Sequence, residues 1–558
     1  MCRVHDHYAP VSCASCTRCD ECEISVHLMV SGWGVRITGR AFGALVGMAV
    51  IAVAVPGSAH AQPVSAPAAA AACAGAGQDF NGDGLFDLVV ADPQATVDGV
   101  AQAGLVRVVY GGGKGTAEIS QALPNDAAAP ERGDQFGFSW AVHDADGDAC
   151  ADLVVGVPYE DVAVDGANQL DAGAVYVYHG SAAGLGTEGA RISNWTQSVL
   201  NAGAVTEAND LFGYALASGT AASGQPWLAI GVPGEDLTAD SAARADAGAV
   251  EYLQGSTVCG ITQDTPSVPG AVEAQDRMGT SLTGTHRYLA VGSAGEAIGP
   301  QEFAGMVTVF SHTLDSGCPK PLAGLDQAGA ADGMPGTAEA GDQFGTSVSM
   351  DNYRPADQSY NSDAMLAIGI PGESVGEVAS AGMVSVVRIQ PTGAVSTVAA
   401  IDATVPDVDG EPAAGDFFGQ RVTLANTDAS VVTGAATARL AVGIPGRDVA
   451  SAKDAGVVQV FKPLDTALGS SDKILSRAAS GSLLPCAATA RDYLGTSLRS
   501  GPNALYVGVP YSKEPATSKG ALYSLTWAAV DAGTGTATLY RPGAGGIPDA
   551  GTSFGIVG

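Results

Sequence analysis

Residues 133–180, GDQFGFSWAVHDADGDACADLVVGVPYEDVAVDGANQLDAGAVYVYHG, hold one full copy of the pattern that decides the fold. The stretch begins with the box GDQFG (133–137), continues into the apolar run LVVGVP (153–158) and ends with AGAVYVYHG (172–180). The apolar run is typical of a buried strand that stops at a proline, which cannot donate to a β-ladder. The last box starts at a turn glycine and then alternates as a half-buried strand does. Counting the Phe-Gly box as a strand, one such stretch predicts three strands.

The three boxes recur in order along the chain. The apolar boxes lie about 60 to 77 residues apart and read LVVADP (88–93), LVVGVP (153–158), LAIGVP (228–233), LAVGSA (289–294), LAIGIP (366–371), LAVGIP (440–445) and LYVGVP (505–510). The Phe-Gly boxes precede them from the second copy onward and read GDQFG (133–137), NDLFG (209–213), QDRMG (275–279), GDQFG (341–345), GDFFG (415–419) and RDYLG (491–495). The Ala-Gly boxes follow and read AGLVRVVYG (103–111), AGAVYVYHG (172–180), AGAVEYLQG (247–255), AGMVTVFSH (304–312), AGMVSVVRI (381–389), AGVVQVFKP (455–463) and KGALYSLTW (519–527). Repeats of this length with three or four strands each predict propeller blades rather than a sandwich.

These ordered boxes resemble the FG-GAP repeats of the integrin alpha-chain N-terminal β-propeller and of its secreted bacterial relatives. The resemblance covers about residues 79 to 558. Two copies depart from the pattern, since Ala91-Asp92 replaces Gly-Ala in the first and Ser293-Ala294 loses the proline in the fourth. The resemblance implies an all-β fold, a seven-bladed β-propeller.

The first copy lacks a Phe-Gly box, and an orphan box, AGTSFGIVG (550–558), ends the chain. We therefore expect the C-terminal strand to pair with the first blade and to close the ring. Such a closure would remove the open sheet edge and tie the two ends of the propeller together.

The first copy begins with DFNGDGLFD (79–87), a pattern typical of calcium loops. Alternate oxygen-bearing residues on a curling loop can converge on one Ca²⁺ ion, which takes six to eight oxygen ligands. The predicted ligands are the side chains of Asp79, Asn81, Asp83 and Asp87 and the backbone carbonyl of Leu85. Val90 stands where an EF-hand needs a bidentate Glu, so the loop instead fits the hairpin between the first two strands of an FG-GAP blade.

A second loop, DADGDACAD (144–152), repeats the spacing in the next blade. Its predicted ligands are the side chains of Asp144, Asp146, Asp148 and Asp152 and the backbone carbonyl of Cys150. Ala149 replaces the glycine that eases the curl, which predicts weaker binding than in the first loop. The other blades lack the spacing. The alternative for either loop is an Asx-rich turn without an ion. We expect two Ca²⁺ sites with a structural role.

The N-terminal part reads as an export signal. Arg36 and Arg40 precede the apolar run 41–55, and small residues follow at a cleavage position between Ala61 and Gln62. Residues 29–61 are predicted to be a signal peptide, residues 62–78 a linker and residues 79–558 the propeller. Residues 1–28, with five cysteines, are predicted to be an untranslated or disordered extension, with a Zn or Fe–S motif as the alternative.

Export predicts a secreted protein, extracellular or at the cell surface, with no membrane span after cleavage. A net charge of −32 excludes nucleic acid as an expected partner, because phosphate backbones attract basic proteins. Five cysteines remain after cleavage, so at least one is unpaired within the chain, and Cys73 with Cys150 is one possible pair. We expect a monomer.

Two functions remain open at the level of sequence. The favoured one is a non-catalytic binding or adhesion protein for an extracellular protein or glycan, which binds through acidic loops such as Tyr159-Glu160-Asp161. The alternative is an extracellular hydrolase or lyase with its site in the propeller funnel. The tripeptide Arg132-Gly133-Asp134 spells an adhesion motif, and Ser553 lies in a G-x-S-x-G pattern, but both overlap Phe-Gly boxes and are interpreted as coincidences.

Overall fold

A computed structural model describes residues 77–123, 128–146, 150–185, 192–328, 334–478, 481–501, 503–513 and 519–557, and two strands nearer the N-terminus. The chain divides into two compact units, Met1–Pro67 and Ala68–Gly558. In the first unit, strands Ile24–Val30 and Trp33–Gly39 pair antiparallel. The predicted apolar signal run, its cleavage site, the cysteines before residue 23 and Cys73 lie outside the described residues. The signal peptide of residues 29–61 and the untranslated or disordered extension of residues 1–28 therefore stay predictions.

The second unit is a seven-bladed β-propeller, as the repeats predict. Each blade is an antiparallel sheet whose strands follow chain order from the inside outward. The described strands of blade 1 are Leu88–Asp92, Leu105–Val109 and Thr116–Ile119. Blade 2 contains Ser139–His143, Asp152–Val157, Ala174–Tyr178 and Ile192–Trp195; blade 3 contains Leu216–Thr220, Pro226–Val232, Ala249–Gln254 and Thr257–Ile261. Blade 4 contains Met278–Gly284, Tyr288–Ser293, Met306–Asp315 and Cys318–Leu325; blade 5 contains Ser347–Tyr353, Asp363–Ile370, Met383–Ile389 and Val395–Ile401. Blade 6 contains Arg421–Asn426, Ala438–Ile444, Val457–Phe461 and Lys473–Leu475; blade 7 contains Ser497–Ser500, Ala504–Val509, Ala521–Thr526 and Thr538–Tyr540.

Short elements connect and flank the blades. Two small hairpins follow second strands, Val162–Val164 with Ala167–Gln169 and Leu237–Ala239 with Ala242–Arg244. A short parallel pair joins Arg477–Ala478 to Leu484–Pro485. The described helical segments are Gly111–Gly113, Gln197–Leu200, Leu468–Ser470 and Trp527–Ala532. Within the described residues, no helix has the length and apolar character that crossing a bilayer requires.

The Phe-Gly boxes differ from their prediction in one respect, because most of each box precedes the inner strand. In blade 2 the box ends at Gly137 and the strand begins at Ser139. Phe136 is fully buried and forms a parallel bridge with Gly104 of blade 1. A Cβ atom on Gly104 would lie 2.2 Å from the backbone nitrogen of Phe136, so only glycine fits there. The box is thus an interblade contact as well as the entry to a strand.

The C-terminal segment contacts blade 1. The backbone N–H of Ala91 donates to the carbonyl of Ile556 over 2.8 Å, and the two residues form an antiparallel bridge. The buried carboxylate of Asp92 accepts hydrogen bonds from the N–H groups of Thr552 (2.7 Å) and Ser553 (2.8 Å). These contacts lie where the predicted closure requires them, although the C-terminal segment forms a bridge there rather than a described fourth strand. Closure of the ring by a C-terminal strand stays a prediction.

Each blade from the second to the fifth carries a glutamate in the loop after its second strand, and a glutamine of the preceding blade donates to it. Each glutamine lies two residues beyond the end of an outer strand. The pairs, with Nε2–Oε2 distances, are Gln121–Glu160 (2.5 Å), Gln197–Glu235 (2.6 Å), Gln263–Glu296 (2.5 Å) and Gln327–Glu373 (2.9 Å). We call these contacts the Gln–Glu links. The glutamates of the acidic loops therefore face the neighbouring blade, and ligand binding by these loops stays a prediction.

A disulfide between Cys259 and Cys318 joins the outer strands of blades 3 and 4 across 59 residues of sequence. Cys150 is also disulfide-bonded, whereas Cys486 is free. The odd cysteine count predicted an unpaired thiol, but not which pair would form, because partners on separate repeats meet only in the folded ring.

Replacing both Cys259 and Cys318 with alanine is expected to lower the free energy of unfolding by about 4 kcal/mol, because the bond closes a long loop in the unfolded chain. Urea unfolding of the oxidised protein measures this loss, and Cys486→Ala serves as the control with a free thiol. Equal stability of the double variant and the control would contradict a stabilising role for the bond.

Candidate functional site

Both predicted metal loops lead into a second strand. The second loop joins Ser139–His143 to Asp152–Val157 in blade 2, in the predicted hairpin position. The first loop, 79–87, leads directly into Leu88–Asp92 of blade 1. Residues 147–149, which include the predicted ligand Asp148, lie outside the described part of the second loop.

The first loop curls around its own carboxylates. Asp79 accepts hydrogen bonds from the backbone N–H groups of Asp83 (3.2 Å) and Gly84 (2.8 Å). The side-chain oxygen of Asn81 accepts from the Asp83 N–H over 3.1 Å, and Asp83 in turn accepts from the Leu85 N–H over 2.9 Å. The glycine-assisted curl that the sequence predicts is present, and backbone N–H groups contact the side-chain oxygens of three of the predicted ligands.

Asp87 anchors the end of this loop. Its fully buried carboxylate accepts hydrogen bonds from the N–H groups of Phe80 (2.8 Å) and Gly111 (2.9 Å). Burial raises the pKa of Asp87 above its ordinary value, the two N–H groups oppose the rise, and the charges of Asp79 and Asp83 add to it. The structure does not bring the carboxylate oxygens of all three aspartates within 4.8 Å of one another. Calcium binding by this loop stays a prediction.

Blade 2 contains a tighter cluster. Among the described residues, Asp146, Asp152 and His179 each offer one ligand atom, and these atoms lie within 4.8 Å of one another. The Nδ1 atom of His179 lies 3.2 Å from Asp152 Oδ2 and 3.5 Å from Asp146 Oδ2. Asp152 and His179 are buried. This arrangement of two carboxylates and one imidazole can hold a divalent cation.

The backbone holds Asp152 as it holds Asp87 in blade 1. Its carboxylate accepts hydrogen bonds from the N–H groups of Ala145 (2.8 Å) and Gly180 (2.9 Å). The second nitrogen of the His179 imidazole, Nε2, lies 3.1 Å from Ser193 Oγ on the outer strand. A partner on the second nitrogen fixes the orientation of an imidazole ligand.

His179 was absent from the predicted ligands, yet the sequence carried a signal for it. Tyr178 pairs with Leu153, so the next rung places His179 opposite Asp152. The equivalent residue in blade 1 is Tyr110, which cannot replace an imidazole as a neutral nitrogen ligand. The side chain of Cys150 is engaged in a disulfide, so only its backbone carbonyl is available to a metal, as the prediction assumed. Asp144 contributes no ligand atom to the cluster.

The two short motifs lack the geometry that their suggested functions need. Asp134 of the RGD tripeptide is 2% exposed and accepts a hydrogen bond from the Glu131 N–H over 2.5 Å. The hydroxyl of Ser553 donates to Gln94 Oε1 over 3.1 Å, and its segment contacts blade 1 rather than beginning a helix. Neither residue is placed to act as an adhesion tip or a nucleophile.

The central channel, lined by the inner strands, encloses about 970 Å³. Its described lining includes one carboxylate, Asp454, and no histidine. Two arginines, Arg421 of blade 6 and Arg499 of blade 7, also line it. The acid–base groups that a hydrolase or lyase would need are therefore sparse among the lining residues that the structure describes.

No model of a protein family matches this chain. Part of it is similar to curated proteins named phosphatidylinositol-glycan-specific phospholipase D. The rat protein is 39% identical over 114 residues, which is 20% of this chain and 13% of the relative. The bovine protein is 37% identical over 110 residues, which is 19% of this chain and 13% of the relative. The match thus spans about one eighth of the length of these relatives.

Solved structures whose backbones align with this chain include a periplasmic gluconolactonase of Pseudomonas aeruginosa and Sqt1 of Saccharomyces cerevisiae. The first has a TM-score of 0.36 and 11% identity, and the match covers 85% of this chain and 100% of that chain. The second has a TM-score of 0.36 and 10% identity, and the match covers 72% of this chain and 84% of that chain.

Proposed function

We propose that the protein is an exported propeller of the FG-GAP type, that divalent cations stabilise the hairpins of blades 1 and 2, and that it binds an extracellular protein or glycan without catalysing a reaction. The cluster of Asp146, Asp152 and His179 is the observation that carries the proposal. A cation there would offset the repulsion between two buried or half-buried carboxylates and would fix the loop to the third strand.

The two loops differ in the cation that their donors suit. The first loop offers oxygen ligands from Asp79, Asn81 and Asp83, which suit Ca²⁺. The imidazole of His179 suits a metal that accepts nitrogen, such as Zn²⁺ or Mn²⁺. We therefore propose Ca²⁺ in blade 1 and extend the second predicted calcium site to a nitrogen-accepting divalent metal.

Chelation is expected to lower the melting temperature, because a cation at a hundred times its Kd contributes about 2.7 kcal/mol to stability. His179→Gln is expected to abolish the recovery produced by Zn²⁺ or Mn²⁺, and Asp83→Ala the recovery produced by Ca²⁺. The measurement is thermal melting after EDTA treatment and re-addition of each cation. His286→Gln, a histidine distant from the cluster in sequence and fold, is the control. A melting curve that EDTA leaves unchanged would contradict both metal sites.

The binding function is supported by the sparse acid–base chemistry of the channel and by the many loops that connect the blades. An array of extracellular glycans and proteins, probed with purified protein with and without chelator, tests it. Specific capture of one ligand class without turnover is the expected result. Release of a cleaved product from a captured ligand would instead favour the hydrolase or lyase.

A further inference from the structure

Hydroxyl groups line the central channel and link neighbouring inner strands. Ser281 Oγ donates to the carbonyl of Gly345 over 2.6 Å, and Ser497 Oγ donates to the carbonyl of Gly555 over 2.9 Å. Thr423 Oγ1 donates to Ser500 Oγ over 2.8 Å. These side chains connect an inner strand to the neighbouring blade or to the C-terminal segment. The channel that they line has a volume of about 970 Å³, a size typical of ligand sites.

Arg421 and Arg499 introduce positive charge into this space. Neither guanidinium has a carboxylate within 4.0 Å among the described residues, and Arg499 lies 4.0 Å above the ring of Trp140 across the channel. Burial lowers the pKa of both side chains, and the positive charge of Arg421 further lowers that of Arg499, to about 10. The inner strands that carry the two residues, Arg421–Asn426 and Ser497–Ser500, contact each other, so both positive charges lie on one side of the channel.

Five other arginines of the described propeller have a carboxylate within 4.0 Å, whereas half-buried Arg244, Arg354 and Arg541 do not. The pairs are Arg107–Glu118, Arg388–Asp363, Arg439–Asp531, Arg447–Asp416 and Arg477–Asp492. A charge withdrawn from water without a partner costs free energy, and a second like charge adds to that cost. Arg421 and Arg499 differ from the other arginines without an ion pair in that they line the same channel, where one anion can contact both of them.

Aromatic side chains line the same space. Phe138 and Tyr214 lie with ring centroids 4.9 Å apart, and Tyr493 and Tyr511 lie 6.1 Å apart. Phe417, 39% exposed, also lines the channel. Aromatic faces offer apolar surface to a ring with both polar and apolar groups, and the hydroxyls of the wall can bond to it. The negative charge of the whole protein disfavours long polyanions, because it repels them over distance.

We propose that the central channel binds an acidic mono- or disaccharide, with its carboxylate between Arg421 and Arg499 and its ring against the aromatic side chains. This inference rests on the proposed binding function and names its ligand class. The arginines supply charge-assisted hydrogen bonds to the carboxylate, and the aromatic groups distinguish a saccharide from a bare anion.

Titration calorimetry of the purified protein with glucuronate, glucose and sulfate tests the proposal. Glucuronate is expected to bind at least 10-fold more tightly than either glucose or sulfate. Arg421→Gln and Arg499→Gln are each expected to weaken glucuronate binding at least 10-fold. Arg132→Gln, the same change at an exposed position, is expected to leave it unaltered. Sulfate that binds as tightly as glucuronate would contradict the saccharide assignment, and absence of glucuronate binding would contradict the site.

A second readout separates binding from structure. Without ligand, Arg421→Gln is expected to melt at the same temperature as the parent or higher, because it removes one of two like charges. Arg499→Gln also loses the contact with Trp140, so Arg421→Gln is the test variant. A melting temperature of Arg421→Gln below that of Arg132→Gln would indicate a structural role and would contradict the proposal. Capture of an array ligand that neither substitution alters would contradict the channel site while leaving the proposed binding function standing.

Discussion

A chain that lacks residues 550–558 is expected to lose on the order of 5 kcal/mol or more of stability, with the first blade and the loop at 79–87 unfolding first. The deletion leaves the buried carboxylate of Asp92 without the N–H groups of Thr552 and Ser553, and a buried acceptor that loses two hydrogen bonds is costly. It also removes Phe554, which is fully buried. Hydrogen exchange resolved by segment, together with urea unfolding, measures the loss. Full stability and cation affinity in the truncated protein would contradict closure of the ring by the C-terminus.

A matched pair of substitutions isolates the hydrogen bond from the bulk of the deletion. The side chain of Thr552 is exposed, and its backbone N–H makes the 2.7 Å bond to Asp92. Thr552→Pro removes that donor and is expected to cost about 2 to 3 kcal/mol, whereas Thr552→Ala keeps the donor and is expected to be near neutral. Similar losses in the two variants would show that the carboxylate bond is unimportant.

Stability is expected to fall as the pH rises from 5 to 8.5. Burial, with nearby carboxylates, raises the pKa of Asp210 and Glu296 to about 8 and that of Glu235, Asp276 and Glu373 to about 7. These values exceed those of the unfolded chain, so the folded state holds the protons more tightly. The stabilisation is fully present below about pH 4 and is lost as the pH rises through 7 and 8. The summed loss is on the order of 5 kcal/mol.

Glu296→Gln is the sharpest test of this pH dependence. Gln263 donates to the Glu296 carboxyl, and a glutamine there keeps an acceptor oxygen while removing the titration. We expect it to match the parent at pH 5 and to exceed it by about 2 kcal/mol at pH 8.5, in EDTA to exclude cations. Glu411→Gln, at an exposed position, is the control. A flat profile of the parent, or equal behaviour of the two variants, would contradict the account.

Blade 6 offers a natural comparison. Arg447 occupies the place that glutamate holds in blades 2 to 5, and it forms a salt bridge of 2.7 Å with Asp416. Burial raises the pKa of Asp416, and the positive charge of Arg447 opposes this rise because it favours the charged carboxylate. We assign the largest part of the pH-dependent loss of stability to blades 3 to 5, which hold the five carboxyl groups named above.

The fold could be predicted from the sequence because every blade repeats the same local requirements. The glycine of LVVGVP in blade 2 is an example, since a Cβ on Gly156 would lie 2.2 Å from the carbonyl oxygen of Gly213 in the next blade. Because the same requirement recurs at a fixed position of the repeat, it appears in the sequence as a repeated motif. The number of blades follows from the number of copies.

The metal cluster could be predicted only in part, because its ligands lie on two segments that are separated in the sequence. The alternate aspartates of residues 144–152 are local and visible, whereas His179 joins them through strand pairing. The Cys259–Cys318 bond and the two channel arginines are less visible still. They depend on which side chains the folded propeller brings together, and the spacing of residues within one repeat does not encode those contacts.

The Gln–Glu links affect how a protein built from such repeats can gain blades by gene duplication. Each repeat from blade 2 to blade 4 carries an acceptor glutamate after its second strand and a donor glutamine after its outer strand, and the two belong to different links. Two copies placed in tandem complete one link without any change of residue. Duplication of a gene segment of this length would therefore deliver a ready-made contact between the old blade and the new one. The number of blades can then change by whole units while the chemistry of each junction is inherited intact.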